Sequence, residues 1–133
     1  MNKIIESGKR KTAIARAIIS EGSGKVTINN RNYEHFHPFD ILRMKEPLKI
    51  AEKTLGKLNF DVKIIVRGGG EKSQIEAARL ALARAIVKFS NSEELEKEYL
   101  EYDRNLIVAD IRRKETYKPG DSKARAKRQT SYR

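Results

Sequence analysis

The sequence has no cysteine among its 133 residues. That excludes a disulfide framework, thiol chemistry and the sulfur ligands of most structural zinc sites. It has two histidines, His35 and His37, with no partners at zinc spacing; they read as surface or half-buried side chains, and no metal is expected. No apolar run approaches the ~20 residues of a membrane span. The N-terminal MNKIIESGKRK lacks the apolar stretch of a signal peptide, so a cytoplasmic protein without membrane contact is expected. No Ser/His/Asp arrangement is legible. The acids Glu93, Glu94, Glu96, Glu98, Glu101 and Asp103 read as a solvated helix face rather than a carboxylate pair for acid–base work. No enzymatic activity, cofactor or small-molecule substrate is expected.

Large aliphatic residues are missing after Ile111, and there the charge collects. Residues 111–133 hold nine Lys/Arg against two acids, Glu115 and Asp121, whereas the other 110 residues hold 20 against 16. Most of the net +11 thus lies in one sixth of the chain. A segment so poor in apolar surface cannot offset the entropy of ordering on its own and is expected to order against a polyanion. Residues 1–110 are expected to form one α/β domain with a modest core, and 111–133 an extended basic tail. Such a body has a radius of gyration of roughly 13 Å. Twenty-two residues from Arg112 reach up to about 75 Å when extended. A tail of that reach threads into a large partner rather than lining a local pocket.

Periodicity outlines the body. Lys9 to Ser20 reads as one strand, with Ala13, Ala15, Ala17 and Ile19 on one face and Arg10, Thr12, Ile14, Arg16 and Ile18 on the other. A turn at Gly22–Gly24 returns the chain as a second strand through Val26 and Ile28, predicting a hairpin. Pro38 is expected to open a short helix and Pro47 to start another that stops at Gly56. Phe60 to Val66 reads as a strand. Ser73 to Phe89 reads as the longest helix, striped by Ile75, Ala78, Leu82, Ala85/Ile86 and Phe89, with Arg79, Arg84 and Lys88 off the stripe. Ser92 caps a last helix, and Leu106 to Ile111 completes the pattern as a final strand. Strands and helices mixed in this order predict a two-layer α/β (α+β) sandwich, a sheet with helices on one face.

Gly68-Gly69-Gly70, after a strand and before a helix, invites a nucleotide-loop reading. The fit is poor: Ile65 stands where a P-loop needs its first glycine, Glu71 separates Gly70 from Lys72, and Ser73 occupies the last glycine of a dinucleotide fingerprint. A tight strand-to-helix turn and close approach of this backbone to an RNA phosphate remain, the latter preferred. Lys9-Arg10-Lys11, at the head of the first strand in this reading, is either a solvated guard of a sheet edge or, together with the tail, a phosphate contact. In the tail, guanidiniums can bind phosphate bidentately and stack on bases, with Tyr117 and Tyr132 as the aromatics.

Gly8-Lys-Arg-Lys-Thr-Ala-Ile-Ala-Arg-Ala17, followed by Gly22-x-Gly24-x-Val-x-Ile-Asn29, resembles the N-terminal signature of small-subunit ribosomal protein nine. Val66-Arg-Gly-Gly-Gly70, the helix AARLALARAIV, Tyr102-Asp-Arg104, Asp110-x-Arg-Arg-x-Glu115 and Lys118-Pro-Gly120 follow in the family's order. The ending Ala124-Arg-Ala-Lys-Arg-Gln-Thr-Ser-Tyr-Arg133 is similar to the archaeal and eukaryotic form of the tail. The resemblance covers essentially the whole chain.

The resemblance implies a structural constituent of the small ribosomal subunit, with the fold of the second domain of small-subunit protein five. It implies small-subunit rRNA, peptidyl-site tRNA and neighbouring ribosomal proteins of the subunit head as partners. Carried over, Arg128, Tyr132 and Arg133 contact tRNA. Lys9, Arg10, Lys11, Arg16, Gly68, Gly69 and Gly70 contact rRNA from the domain. Arg112, Arg113, Lys114, Lys118, Lys123, Arg125 and Lys127 line the tail's path through rRNA. No role is implied for Lys72. A free, non-specific nucleic-acid binder and a nucleotide-dependent enzyme are the competing readings.

Overall fold

The computed structural model describes residues 3–112, 116–120 and 124–125. In chain order the elements are β1 (Ile4–Arg10), β2 (Ala13–Glu21), β3 (Val26–Ile28), β4 (Arg31–Asn32), α1 (Pro38–Leu55), β5 (Phe60–Arg67), α2 (Glu71–Ser90) and α3 (Glu93–Tyr102). Short 3₁₀ turns lie at Tyr33–His35 and Arg104–Leu106. The five strands form one sheet in the order β1-β2-β5-β3-β4, antiparallel throughout except for the parallel β3–β5 pair. Helices cover one face, as the mixed α/β pattern predicts. The buried faces of β2 (Ala13, Ala15, Ala17, Ile19) and β5 (Phe60, Val62, Ile64, Val66) meet α2 through Ile75, Ala78, Leu82 and Ile86.

The single strand expected from Lys9 to Ser20 is two. β1 ends at Arg10, a turn at Lys11–Thr12 reverses the chain, and Lys11 adopts a positive φ of 53° to make it. Lys9-Arg10-Lys11 therefore ends one strand and starts the turn, rather than heading a strand. β1 escapes recognition because only Ile4 of its inward positions is apolar: Glu6 and Arg10 also face the helices, and between them stands Gly8. A Cβ on Gly8 would lie 2.3 Å from the carbonyl oxygen of Ala77 and 2.7 Å from the amide nitrogen of Ala81. The glycine lets the backbone of α2 lie directly on β1.

The hairpin expected between the strand through Ser20 and the strand through Val26 and Ile28 does not form. β5 inserts between them, with Ile64 paired to Ala17 on one side and to Ile28 on the other. The cause is remote in sequence. Asp61 Oδ1 accepts hydrogen bonds from the amides of Ser23, Gly24 and Lys25 at 3.0–3.1 Å, drawing the connection across the start of β5. Those amides, Lys25 first, hold the Asp61 carboxyl below the usual carboxylate range.

Further expectations change. The pair of short helices is one helix, α1, with Pro47 inside it. Met44, Pro47, Leu48 and Ala51 form a continuous buried stripe, and burying it outweighs the backbone hydrogen bond that proline removes. The Tyr99 hydroxyl donates to the Pro47 carbonyl at 2.7 Å, and burial pushes that phenol's pKa up, so it remains a donor. Leu106 to Ile111 is not a strand. Arg84 donates to the carbonyls of Ser7 (3.0 Å) and Ile107 (2.8 Å), occupying groups that strand pairing at the β1 edge would use. Arg79, expected off the apolar stripe of α2, is 8% exposed and ion-paired to Glu46 of α1 and to Asp103. Leu100 and Tyr102 are exposed.

Gly8→Ala should cost about 3 kcal/mol, near the upper part of the overpacking range, because both clashing atoms are backbone. Urea denaturation measures it. Ser7→Ala, an exposed neighbour, should change stability by less than about 0.5 kcal/mol. Equal stability of the Gly8→Ala and parent proteins would contradict the close contact.

Candidate nucleic-acid interface

Lys9, Lys11 and Gly68–Gly70, all singled out in the sequence, meet at one end of the sheet. Lys9 and Lys11 are exposed at the β1–β2 turn. The turn after β5 lies against them: a Cβ on Gly68 would stand 2.7 Å from the Thr12 carbonyl oxygen, and one on Gly69 3.0 Å from the Ala13 amide nitrogen. Gly68 and Gly69 have φ of 76° and 66°, which side chains rarely adopt. Gly70 has open space where its Cβ would be and caps α2 without a side-chain hydrogen bond. The start of this helix is therefore open to solvent, next to the β1–β2 turn that carries Lys11. That arrangement suits a phosphate.

The root of the tail is held at this same end. Arg10 points inward, its side chain 15% exposed, with Nε 2.8 Å from Glu76 Oε2 and Nη1 2.6 Å from Asp110 Oδ2. Glu76 also takes Arg43 of α1 at 2.7 Å. Arg112 closes on Asp110 with Nε at 3.0 and 2.9 Å from the two carboxylate oxygens, Nη2 at 2.6 Å and its own amide at 3.0 Å. Side-chain hydrogen bonds from Arg112, then its amide and the charge of Arg10, hold the Asp110 carboxyl well below the usual range. Asp110, with a side chain only 13% exposed, thereby joins β1, α2 and the start of the tail.

Arg16 projects from the middle of β2 onto the sheet face that carries no helix, apart from the cluster at the turn. Lys118 and Arg125 are exposed, and Arg125 and Tyr117 have contacts within the chain. Arg113, Lys114, Lys123, Lys127, Arg128, Tyr132 and Arg133 lie outside the described residues. His37 caps α1, accepting from the Phe39 amide through Nδ1, and stacks on the Phe39 ring at 5.5 Å. Among the described residues no group of three or more His, Cys, Asp or Glu side chains could hold a metal ion, and no helix is long and apolar enough to cross a membrane.

The sequence reading missed Asp61, Glu76, Arg79, Arg84 and Asp110 as organising residues, since each acts through a partner distant in sequence. It also missed Lys63 and Arg67, although strand alternation puts both on the same open face as Arg16.

The family model described as ribosomal protein S9/S16 matches residues 8–133. A Thermoplasma acidophilum protein named small ribosomal subunit protein uS9 is 52% identical over 132 residues, covering 98% of this chain and all of its own length. The Thermoplasma volcanium protein of that name is 49% identical over 136 residues, covering both chains fully. The one from Methanococcus maripaludis strain C7 is 50% identical over 129 residues, 95% of each chain.

Because the folded carboxyl of Asp110 titrates below the unfolded value of about 3.9, its contribution is complete above that value and is lost as pH falls below it. The Arg112 amide resonance should hold steady from pH 7 down through the ordinary carboxylate range of about 4 and move only well below it, where the depressed Asp110 carboxyl takes up its proton. Asp110→Asn should abolish that acid transition and lower the heteronuclear NOE at Ile111 and Arg112. The same acid transition in parent and variant would contradict the assignment.

Proposed function

The chain belongs to the ribosomal protein S9/S16 family as a structural, non-enzymatic component of the small ribosomal subunit, and we propose that it binds small-subunit rRNA through the basic end of its sheet and its tail, whose tip contacts peptidyl-site tRNA. The observation that carries this reading is the coincidence of the two basic features. The segment with net +7 over residues 111–133 is rooted by Asp110 on Arg10, which stands between Lys9 and Lys11 at the end of β1, and Asp110 also holds Arg112. A polyanion bound at the tail's root thus lies close to the lysines of the β1–β2 turn.

The residues then take distinct parts. Lys9, Lys11, Arg16 and the Gly68–Gly70 backbone contact rRNA from the domain. Arg112, Arg113, Lys114, Lys118, Lys123, Arg125 and Lys127 line the tail's route, and Arg128, Tyr132 and Arg133 meet the tRNA. Arg10 serves the interface from inside, by anchoring the tail's root. The body, residues 1–110, has the fold of the second domain of small-subunit protein five and docks in the head of the subunit among other ribosomal proteins. Binding is mostly phosphate electrostatics and stacking, with little base reading.

Deleting Tyr132 and Arg133 should leave subunit assembly nearly intact, as seen on sucrose gradients. It should weaken peptidyl-site tRNA retention about tenfold, the scale of one charged hydrogen bond or one stacking contact. Filter binding of tRNA to purified subunits checks it; equal retention by truncated and intact subunits would contradict the tip's role. Removing residues 112–133 should also weaken docking, and a chain absent from small subunits at high salt would overturn the reading altogether.

A further inference from the structure

The sheet face without helices is an ordered mixture of cations and isoleucines. Strand register puts Arg16 at its centre. Along β2 it is flanked by Ile14 and Ile18, and across the strands by Ser7 on β1 and Ile65 on β5. The diagonal neighbours are Lys9, Arg67, Lys63 and Ile5. Strand spacing and rise put each diagonal step at about 8 Å between Cα atoms. Ile5 and Ile14 are 56% and 54% exposed, and an open cleft lies between Ile14, Arg16, Ile65 and Arg67. Among the described residues Lys9, Arg16, Lys63 and Arg67 form no salt bridge. The nearest carboxylates are engaged elsewhere: Glu6 faces the helices and pairs with Lys88, and Asp61 holds the β2–β3 turn.

We infer that this open face is a docking surface for double-helical RNA, gripped by its backbone and ribose edge rather than read by sequence. The inference rests on the reading that the chain binds small-subunit rRNA, and it adds Lys63, Arg67 and the isoleucines to that site. Four cations without counter-ions call for a polyanion. An acidic peptide would satisfy the charge equally, but the alternation of point cations with apolar knobs across a flat sheet matches alternating phosphates and riboses. No aromatic side chain stands on this face of β1, β2 or β5, so there is no platform for stacking unpaired bases. Isoleucines are stiff at χ1 and lose little entropy when covered. Against the wide, shallow minor groove of an RNA helix they meet ribose carbons while Arg16 and its diagonal neighbours reach phosphates and 2′-hydroxyls.

The absence of cysteine makes the test clean. The full-length Ser7→Cys protein, carrying an iron chelate on its single thiol, is assembled into small subunits and hydroxyl radicals are generated. The expected result is cleavage of two rRNA segments that base-pair with each other. Cleavage confined to unpaired nucleotides, or no rRNA cleavage, would overturn the inference. In parallel, Arg16→Ala/Lys63→Ala/Arg67→Ala in the full chain, with unfolding temperature as the folding control, is titrated against small-subunit rRNA. The slope of log affinity against log salt should fall by about 2–3 for three lost phosphate contacts, while the tail's footprint stays. An unchanged slope overturns the face alone, whereas failure of the parent protein to bind rRNA overturns the underlying reading with it. If the triple variant does not fold, the chelate experiment decides.

Discussion

Helix α2 crosses β1 and β2 at close range, over Gly8 of β1 and the alanines of β2. Gly8 meets the Ala77 carbonyl and the Ala81 amide, and Ala13, Ala15 and Ala17 of β2 are fully buried beneath α2. The rest of the structure depends on this approach. It brings Glu76, one residue before Ala77, within reach of Arg10, two residues after Gly8. Arg10 then holds Asp110, and Asp110 holds Arg112. Further along the same helix, Arg84 spans to Ser7 and Ile107, and Arg79 gathers α1 and the end of α3. A larger residue at position 8 would lift α2 and loosen every link from the sheet to the tail's root.

The basic residues thereby divide into two kinds. Arg10, Arg79 and Arg84 turn inward and are spent on carboxylates and carbonyls of the chain itself. Lys9, Lys11, Arg16, Lys63 and Arg67 point outward without an ion-pair partner among the described residues. The division follows geometry: alternation in β1 sends Lys9 and Arg10, adjacent in sequence, to opposite faces. A net charge of +11 describes attraction to a polyanion in general, while this division says which surface makes the contact. Guanidiniums suit the inward task because their fixed fork satisfies two acceptors at once.

The legible parts of the sequence were those governed by local period. β5 and the long helix follow from apolar spacing, Ser92 caps α3 as its side chain suggests, and the alanine face of β2 was read correctly. What escaped was decided over long distances. Gly8 erases the apolar signal of β1 because a helix backbone, not a side chain, fills that space. Asp61 splits an apparent hairpin from 36 or more residues away. Pro47 signalled a break that the buried stripe of α1 overrides. For the interface, charge clustering located the tail and the Lys9–Lys11 turn, but Lys63 and Arg67 were hidden among the apolar residues of a strand, and Arg10 looked like a contact because its partner, Asp110, stands 100 residues away.

The central claim is a continuous path from an anchored root to a tRNA-contacting tip. Electron cryo-microscopy of small subunits carrying this chain with peptidyl-site tRNA tests it most directly. The account predicts the tail leaving the body between Asp110 and the glycine turn, running among rRNA phosphates, and ending with Tyr132 and Arg133 against the tRNA. A tail that ends on protein or in solvent away from the tRNA would contradict it.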